Sequence, residues 1–171
     1  MFYLLRHCKA LGQDTDADLT SEGAEIAQSI SKNLEDLKIE KIYSSPMKRA
    51  IKTVEPFAIK NNMEVNIDSR LSERVLTREN TEDFLFYLKK SFSDYKLKFE
   101  GGESSEEALA RAMEVLNEIS TDENILIVSH GNLIALILNN FEKFGYDDWK
   151  ELKNPDLWEI DNNGSIRRIT L

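Results

Sequence analysis

The segment Ile125–Ser129, ILIVS, sets four branched apolar residues in succession, and no polar residue interrupts them before Ser129. A strand with one wet face alternates in character, so an unbroken apolar run calls for cover on both faces. Residues 2–5, FYLL, make a second such run, which ends abruptly at Arg6 and His7. Two doubly covered strands imply helices above and below a sheet. The expected fold class is therefore α/β, in three layers, with a mainly parallel central sheet and helices on both faces.

The intervening segments supply those helices. Ala24, Ala27, Ile30, Leu34 and Leu37 recur at threes and fours behind Thr20, a residue suited to cap a helix over residues 20–37. Lys41–Ser44 and Val65–Ile67 read as further strands. Ser45-Pro46 between them reads as an N-cap followed by a proline in the first helical position, opening a helix to about Asn61. A helix is expected over residues 81–91. Ser104 with Glu107 has capping-box spacing and begins another helix, and the apolar stretch 133–141 a further one. Near the C-terminus, LWEI and SIRRITL flank Asn163-Gly164, a strong hairpin signal, so the sheet should end in an antiparallel edge. At about 100–200 residues per domain, the chain reads as one domain over 1–171.

Composition narrows the function. Thirty-one acidic against twenty-two basic side chains leave a net charge of −9, which argues against holding nucleic acid or an anionic membrane by bulk charge. Any anionic ligand must be drawn in by a local site. The single cysteine leaves no intramolecular disulfide or thiolate cluster, no apolar run approaches membrane-spanning length, and residues 1–7 have no signal-like core. A soluble, cytoplasmic protein is expected.

In open α/β sheets, ligands bind beyond the carboxyl ends of the strands. The residues that follow the apolar runs are Arg6-His7, Ser44-Ser45 and His130-Gly131, so both histidines of the chain fall at that edge. Arg49 lies within reach, one turn into the following helix. Two histidines and two arginines make a cationic pocket in an acidic protein, suited to an oxyanion such as phosphoryl. A cysteine-phosphatase loop is excluded, because Asp14 stands where its arginine belongs, six residues after Cys8. Neither histidine belongs to an HExxH helix, and no P-loop or GxGxxG pattern occurs. No metal or other cofactor is expected.

Six motifs, LLRHCKALGQ, LTSEGAEIAQ, SSPMKRAIKT, LSER, GGES and LIVSHGN, stand in this order between residues 4 and 132. In content and order they resemble the histidine phosphatase superfamily, the phosphoglycerate-mutase-like group. The resemblance implies hydrolysis of phosphomonoesters through a covalent phosphohistidine. His7 then matches the nucleophile, Arg6 and Arg49 the clamp on the phosphate oxygens, and His130 the second histidine of the pocket. Glu73, in LSER, matches the proton donor to the leaving alcohol. Gln13 stands where the family often has an asparagine touching the phosphate. A small phosphorylated metabolite or a phosphoprotein is the implied substrate; the sequence leaves the oligomeric state open.

Two departures stand out. Cys8 replaces the glycine usual after the RH pair, read first as a small packed side chain and alternatively as an oxidant-sensitive thiolate favoured by Arg6. The substrate-covering insertion, at about residues 74–100, is short for a mutase, which favours a phosphatase. Within its residues 89–98, Lys89, Lys90, Lys96 and Lys98 stand against Asp94 alone. The first reading of this cluster is a solvated face; the other is contact with an anionic part of the substrate. The alternatives left open are a mutase-type phosphotransferase, a protein phosphohistidine phosphatase and a non-enzymatic phospholigand-binding regulator.

Overall fold

The computed structural model describes residues 1–78, 82–119 and 122–171. Along the chain run β1 (Phe2–Arg6), α1 (Ser21–Glu35), β2 (Lys41–Ser44), α2 (Lys48–Lys60), β3 (Val65–Ile67) and α3 (Phe84–Ser93). After these come α4 (Ser105–Glu118), β4 (Ile125–Ser129), α5 (Gly131–Phe141), α6 (Tyr146–Lys150), β5 (Asp156–Ile160) and β6 (Ile166–Ile169). Among the described residues the strands form one sheet in the order β3-β2-β4-β1-β5-β6. The first four run parallel, while β5 and β6 are antiparallel.

The apolar runs occupy the middle of this sheet for the reason their sequence gives. In β4, Ile125 and Ile127 join Leu4 of β1 in a core packed against α4 and α5. Their neighbours Leu126 and Val128 join Tyr3 and Leu5 in a second core beneath α1 and α2. Successive residues of a strand point to opposite faces, so a central strand covered on both sides must be apolar at every position. All five residues of β4 are buried.

Capping follows the sequence at α1 and α4. The Thr20 hydroxyl accepts from the Gly23 N–H, and Ser104 and Glu107 form the reciprocal capping box. Asp161 accepts the Asn163 and Ser165 N–H groups to close the C-terminal hairpin.

Two boundaries differ from expectation. The helix expected from Ser45-Pro46 begins at Lys48, and its cap, Met47, makes no side-chain capping bond. The Ser45 hydroxyl is instead 2.7 Å from His130 Nε2. The helix expected over 81–91 runs from Phe84 to Ser93, and Thr81 lies outside the described residues. No helix among the described residues is long and apolar enough to cross a membrane.

Candidate active site

Strand register assembles the site. Arg6 of β1 is level with Ser129 of β4, and Ser44 of β2 with Val128. Each ladder continues one bond further, from His7 N–H to the Ser129 carbonyl (3.1 Å) and from Ser45 N–H to the Val128 carbonyl (2.9 Å). His7, Ser45 and His130 therefore leave three adjacent strands at one edge. The two imidazole rings meet edge to face with centroids 5.0 Å apart.

His7 is 7% exposed, and its Nδ1 lies 2.6 Å from the Cys8 carbonyl oxygen. A carbonyl only accepts, so Nδ1 carries the proton and Nε2 keeps its lone pair. Arg49 Nε–H donates towards that lone pair at 3.3 Å. Burial first, then the charges of Arg49 and Arg6, hold the His7 pKa down to about 4. The ring is neutral at pH 7. Asn154 donates to the His7 carbonyl at 2.9 Å, fixing the backbone behind it.

Arg49 comes from the first turn of α2 and is 1% exposed. Its Nη1 donates to the carbonyls of Gln13 and Asp14 at 3.1 and 2.9 Å, tying the loop after β1 to α2. The Gln13 side chain is exposed at the cleft lining. Arg6 Nη1 donates to the Leu152 carbonyl at 2.9 Å, while its Nε is buried without a partner. Both guanidinium pKa values are lowered, chiefly by burial.

His130 is fully buried. The Met47 N–H donates to Ser45 Oγ at 3.3 Å, and the same hydroxyl lies in hydrogen-bond contact with His130 Nε2 at 2.7 Å. His130 Nδ1 is buried without a partner. Burial and the neighbouring His7, Arg49 and Arg6 keep this ring neutral as well.

Glu73 follows a short turn at Ser69–Leu71. Its Oε1 accepts the Arg74 and Leu133 N–H groups at 2.8 and 3.0 Å, and its Oε2 accepts the Asn132 N–H at 3.1 Å. The carboxylate thus caps the first turn of α5, where the helix dipole favours negative charge. Burial raises the Glu73 pKa, and the three N–H bonds oppose that rise. Arg111 of α4 holds this loop, donating to the Arg70 and Ser72 carbonyls and to both oxygens of Glu103.

A cleft of about 510 Å³ opens beside these groups, lined by Arg6, Gln13, Arg49, Glu73, Arg74, Thr77, Gly131 and Asn132 together with apolar side chains. Cys8 stands outside it. The thiol is fully buried in the core beneath α1 and α2, and burial pushes its pKa up to about 11. That overturns the thiolate alternative and agrees with a packed side chain. The lysine cluster does not line the cleft either: Lys89 lies over the Tyr146 ring, Lys90 over Phe86, and Lys98 pairs with Glu107. Among the described residues, no group of three or more His, Cys, Asp or Glu side chains is placed to hold a metal ion.

A sequence profile of the histidine phosphatase superfamily, branch 1, matches residues 2–168. The chain belongs to that superfamily. Human 6-phosphofructo-2-kinase/fructose-2,6-bisphosphatase 4 is 27% identical over 146 residues, which cover 82% of this chain and 31% of that protein. The chain thus spans about a third of the length of this relative. Phosphoserine phosphatase 1 of Hydrogenobacter thermophilus is 26% identical over 155 residues, covering 78% of this chain and 72% of the relative. Among solved structures, mycobacterial glucosyl-3-phosphoglycerate phosphatase with inorganic phosphate superposes with a TM-score of 0.75 at 23% identity, covering 98% and 93% of the two chains. That likeness shows the histidine phosphatase fold.

The structure brings His7, His130, Arg6, Arg49 and Glu73 together, with Gln13 at the rim. Sequence reasoning missed the residues that hold them: Asn154 behind His7, Ser45 on His130, and the Arg111–Glu103 pair on the Glu73 loop. Glu103, inside GGES, and Ser45, at a strand end and inside SSPMKRAIKT, carried a sequence signal. Gly102 of the same motif is required by a close approach, since a Cβ there would lie 2.1 Å from the Leu76 carbonyl oxygen.

Proposed function

We propose that this member of the superfamily is a phosphomonoesterase that works through a phosphohistidine on His7. The observation that carries the reading is the 2.6 Å bond from His7 Nδ1–H to the Cys8 carbonyl, which leaves the unprotonated Nε2 beside Arg49. A neutral imidazole held in one tautomer is a nucleophile at pH 7 without a separate base.

In the first step His7 Nε2 forms a bond to phosphorus as the bond to the alcohol oxygen breaks, and Glu73 gives its proton to that oxygen. Oε1 already accepts two N–H groups, so the Glu73 proton sits on Oε2. In the second step water attacks phosphorus, the phosphorus–nitrogen bond breaks, and Glu73 takes the proton of the water. Inorganic phosphate and neutral His7 result. Arg6 and Arg49 hold the equatorial oxygens and stabilise their charge, which is most of what phosphoryl transfer asks of a protein. His130, whose Nδ1 has no partner within the protein, serves the same oxygens, with Gln13 at the rim. No metal is needed in this scheme.

The segment 74–100 covers the substrate, a small phosphorylated metabolite, in what we take as a single cytoplasmic domain. The names of the relatives support phosphatase over mutase chemistry. The test is a panel of sugar phosphates, phosphoglycerates, nucleotides and a phosphohistidine peptide, with and without EDTA and with His7→Ala. Hydrolysis that resists EDTA and vanishes in the variant is expected; hydrolysis that survives His7→Ala overturns the mechanism.

A further inference from the structure

The cleft changes character away from the phosphate. Beside the polar Thr77 and Asn132, its remaining uncharged lining is Met47, Val75, Leu76, Phe84 and Trp149. Phe84 and Val75 are 38% and 43% exposed, so apolar surface meets solvent there. Such a surface at a binding cleft marks what the ligand brings to it.

Cations that could meet a second anion are committed elsewhere. Of the arginines lining the cleft, Arg6 and Arg49 belong to the phosphate. Arg74 is 4% exposed, and its guanidinium donates to Ser91 Oγ at 2.8 Å and to the Glu103 carbonyl at 3.3 Å. No lysine lines the cleft, and residues 79–81 and 120–121 include no lysine or arginine. A carboxylate on the leaving alcohol would lose water beside Glu73 and find no free counter-charge among the described residues that line the cleft.

We propose, resting on the phosphomonoesterase reading, that the leaving-group half of the cleft selects an uncharged alcohol with an apolar body. It discriminates against phosphomonoesters whose alcohol carries a carboxylate or a second phosphate. The phosphate subsite supplies the charge recognition; Phe84, Val75 and Trp149 supply apolar contact.

The experiment compares kcat/KM for benzyl phosphate, glycerol 3-phosphate and 3-phosphoglycerate, whose alcohols are close in acidity, so that leaving-group chemistry does not set the order. Glycerol 3-phosphate against 3-phosphoglycerate isolates the carboxylate, and benzyl phosphate against glycerol 3-phosphate isolates the apolar body. The expected order is benzyl phosphate, glycerol 3-phosphate, 3-phosphoglycerate, with about tenfold or more at each step. Val75→Lys should raise 3-phosphoglycerate about tenfold relative to benzyl phosphate by supplying the missing cation. Equal or better use of 3-phosphoglycerate than of glycerol 3-phosphate by the wild type would overturn the proposal, as would no preference for benzyl phosphate. Titration calorimetry of the same three compounds with His7→Ala reads the order as affinities, without turnover. Absence of hydrolysis with the benzyl order retained in binding would therefore refute the phosphatase reading alone, and a reversed order in binding would refute the selectivity alone.

Discussion

Gly131 lies against the guanidinium of Arg6 so closely that a Cβ at position 131 would fall 3.0 Å from Arg6 Cζ and 3.1 Å from Nε. The first residue of α5 thus sets where a phosphate-clamp arginine rests, and a glycine leaves room for it. Gly131→Ala should displace Arg6 and lower kcat/KM by about 10²-fold, as small misplacements in such sites do. The Tm should move little, because alanine is the better helix former. Steady-state kinetics beside thermal unfolding separates the two effects.

Arg49 donates through Nε to His7 and through Nη1 to two loop carbonyls. A lysine offers one point charge and no planar fork, so Arg49→Lys is not conservative here. It should lower kcat by about 10²–10³-fold, close to Arg49→Ala, as the loss of a preorganised charge donor does. Near-wild-type turnover by the lysine variant would remove Arg49 from the clamp.

Two groups set the pH profile from opposite sides. His7 must be neutral, and its pKa is held down to about 4, while Glu73 must be protonated, and its pKa is raised by burial. The kcat/KM profile should therefore be bell-shaped, with an acid limb near pH 4 and an alkaline limb above the ordinary carboxylate range. Glu73→Gln should lower turnover of alkyl phosphates by about 10²–10⁴-fold and that of p-nitrophenyl phosphate far less, because a nitrophenolate leaves without a proton. Stability follows the same titration. His7 takes its proton less readily folded than unfolded, where the ordinary value is 6.5, so stability is lost as pH falls from about 6.5 and the loss levels off below about 4. At about 1.4 kcal/mol per unit, the His7 contribution is about 3 kcal/mol, read by urea unfolding at a series of pH values.

Cys8 should be inert in the native protein, its thiol being fully buried with a pKa of about 11. Iodoacetamide at pH 8 should label it only after unfolding, and peroxide should inactivate wild type and Cys8→Ala at the same rate. Mass spectrometry of the Cys8 peptide reads the first outcome directly.

Arg111 touches none of the proposed phosphate ligands, yet it holds the carbonyls of Arg70 and Ser72 in the loop that carries Glu73. Arg111→Ala leaves those acceptors and Glu103 without their partner, which costs about 1–3 kcal/mol for a buried group. A positioning role also predicts a larger loss of kcat on alkyl than on nitrophenyl phosphate, the pattern expected of Glu73→Gln. Equal losses on both substrates would mean that the pair serves stability alone.

The architecture was legible because its centre is written in runs of apolar residues. ILIVS and FYLL could be buried only inside a two-sided sheet, and both lie there. What sequence misplaced were residues whose partners are distant. Ser45 looks like a helix cap, but its hydroxyl pairs with His130, 85 positions away, and α2 starts later. The histidines and arginines could be gathered from strand ends and motifs. Two of their supports could not, since Arg111 reads as an ordinary polar position of an amphipathic helix and Asn154 as part of a loop. The lysines of α3 formed a charge cluster in sequence, while side-chain direction takes Lys89 and Lys90 onto aromatic rings outside the cleft.

A phosphohistidine mechanism requires a phosphoryl group carried on His7 Nε2 during turnover. Rapid mixing with substrate, an alkaline quench that preserves phosphohistidine, and mass spectrometry of the peptide containing His7 test it most directly. One phosphoryl group on that peptide within the first turnover, none in His7→Ala, and loss of the label in acid are expected. An unmodified His7 peptide throughout a turnover that releases phosphate would contradict the mechanism.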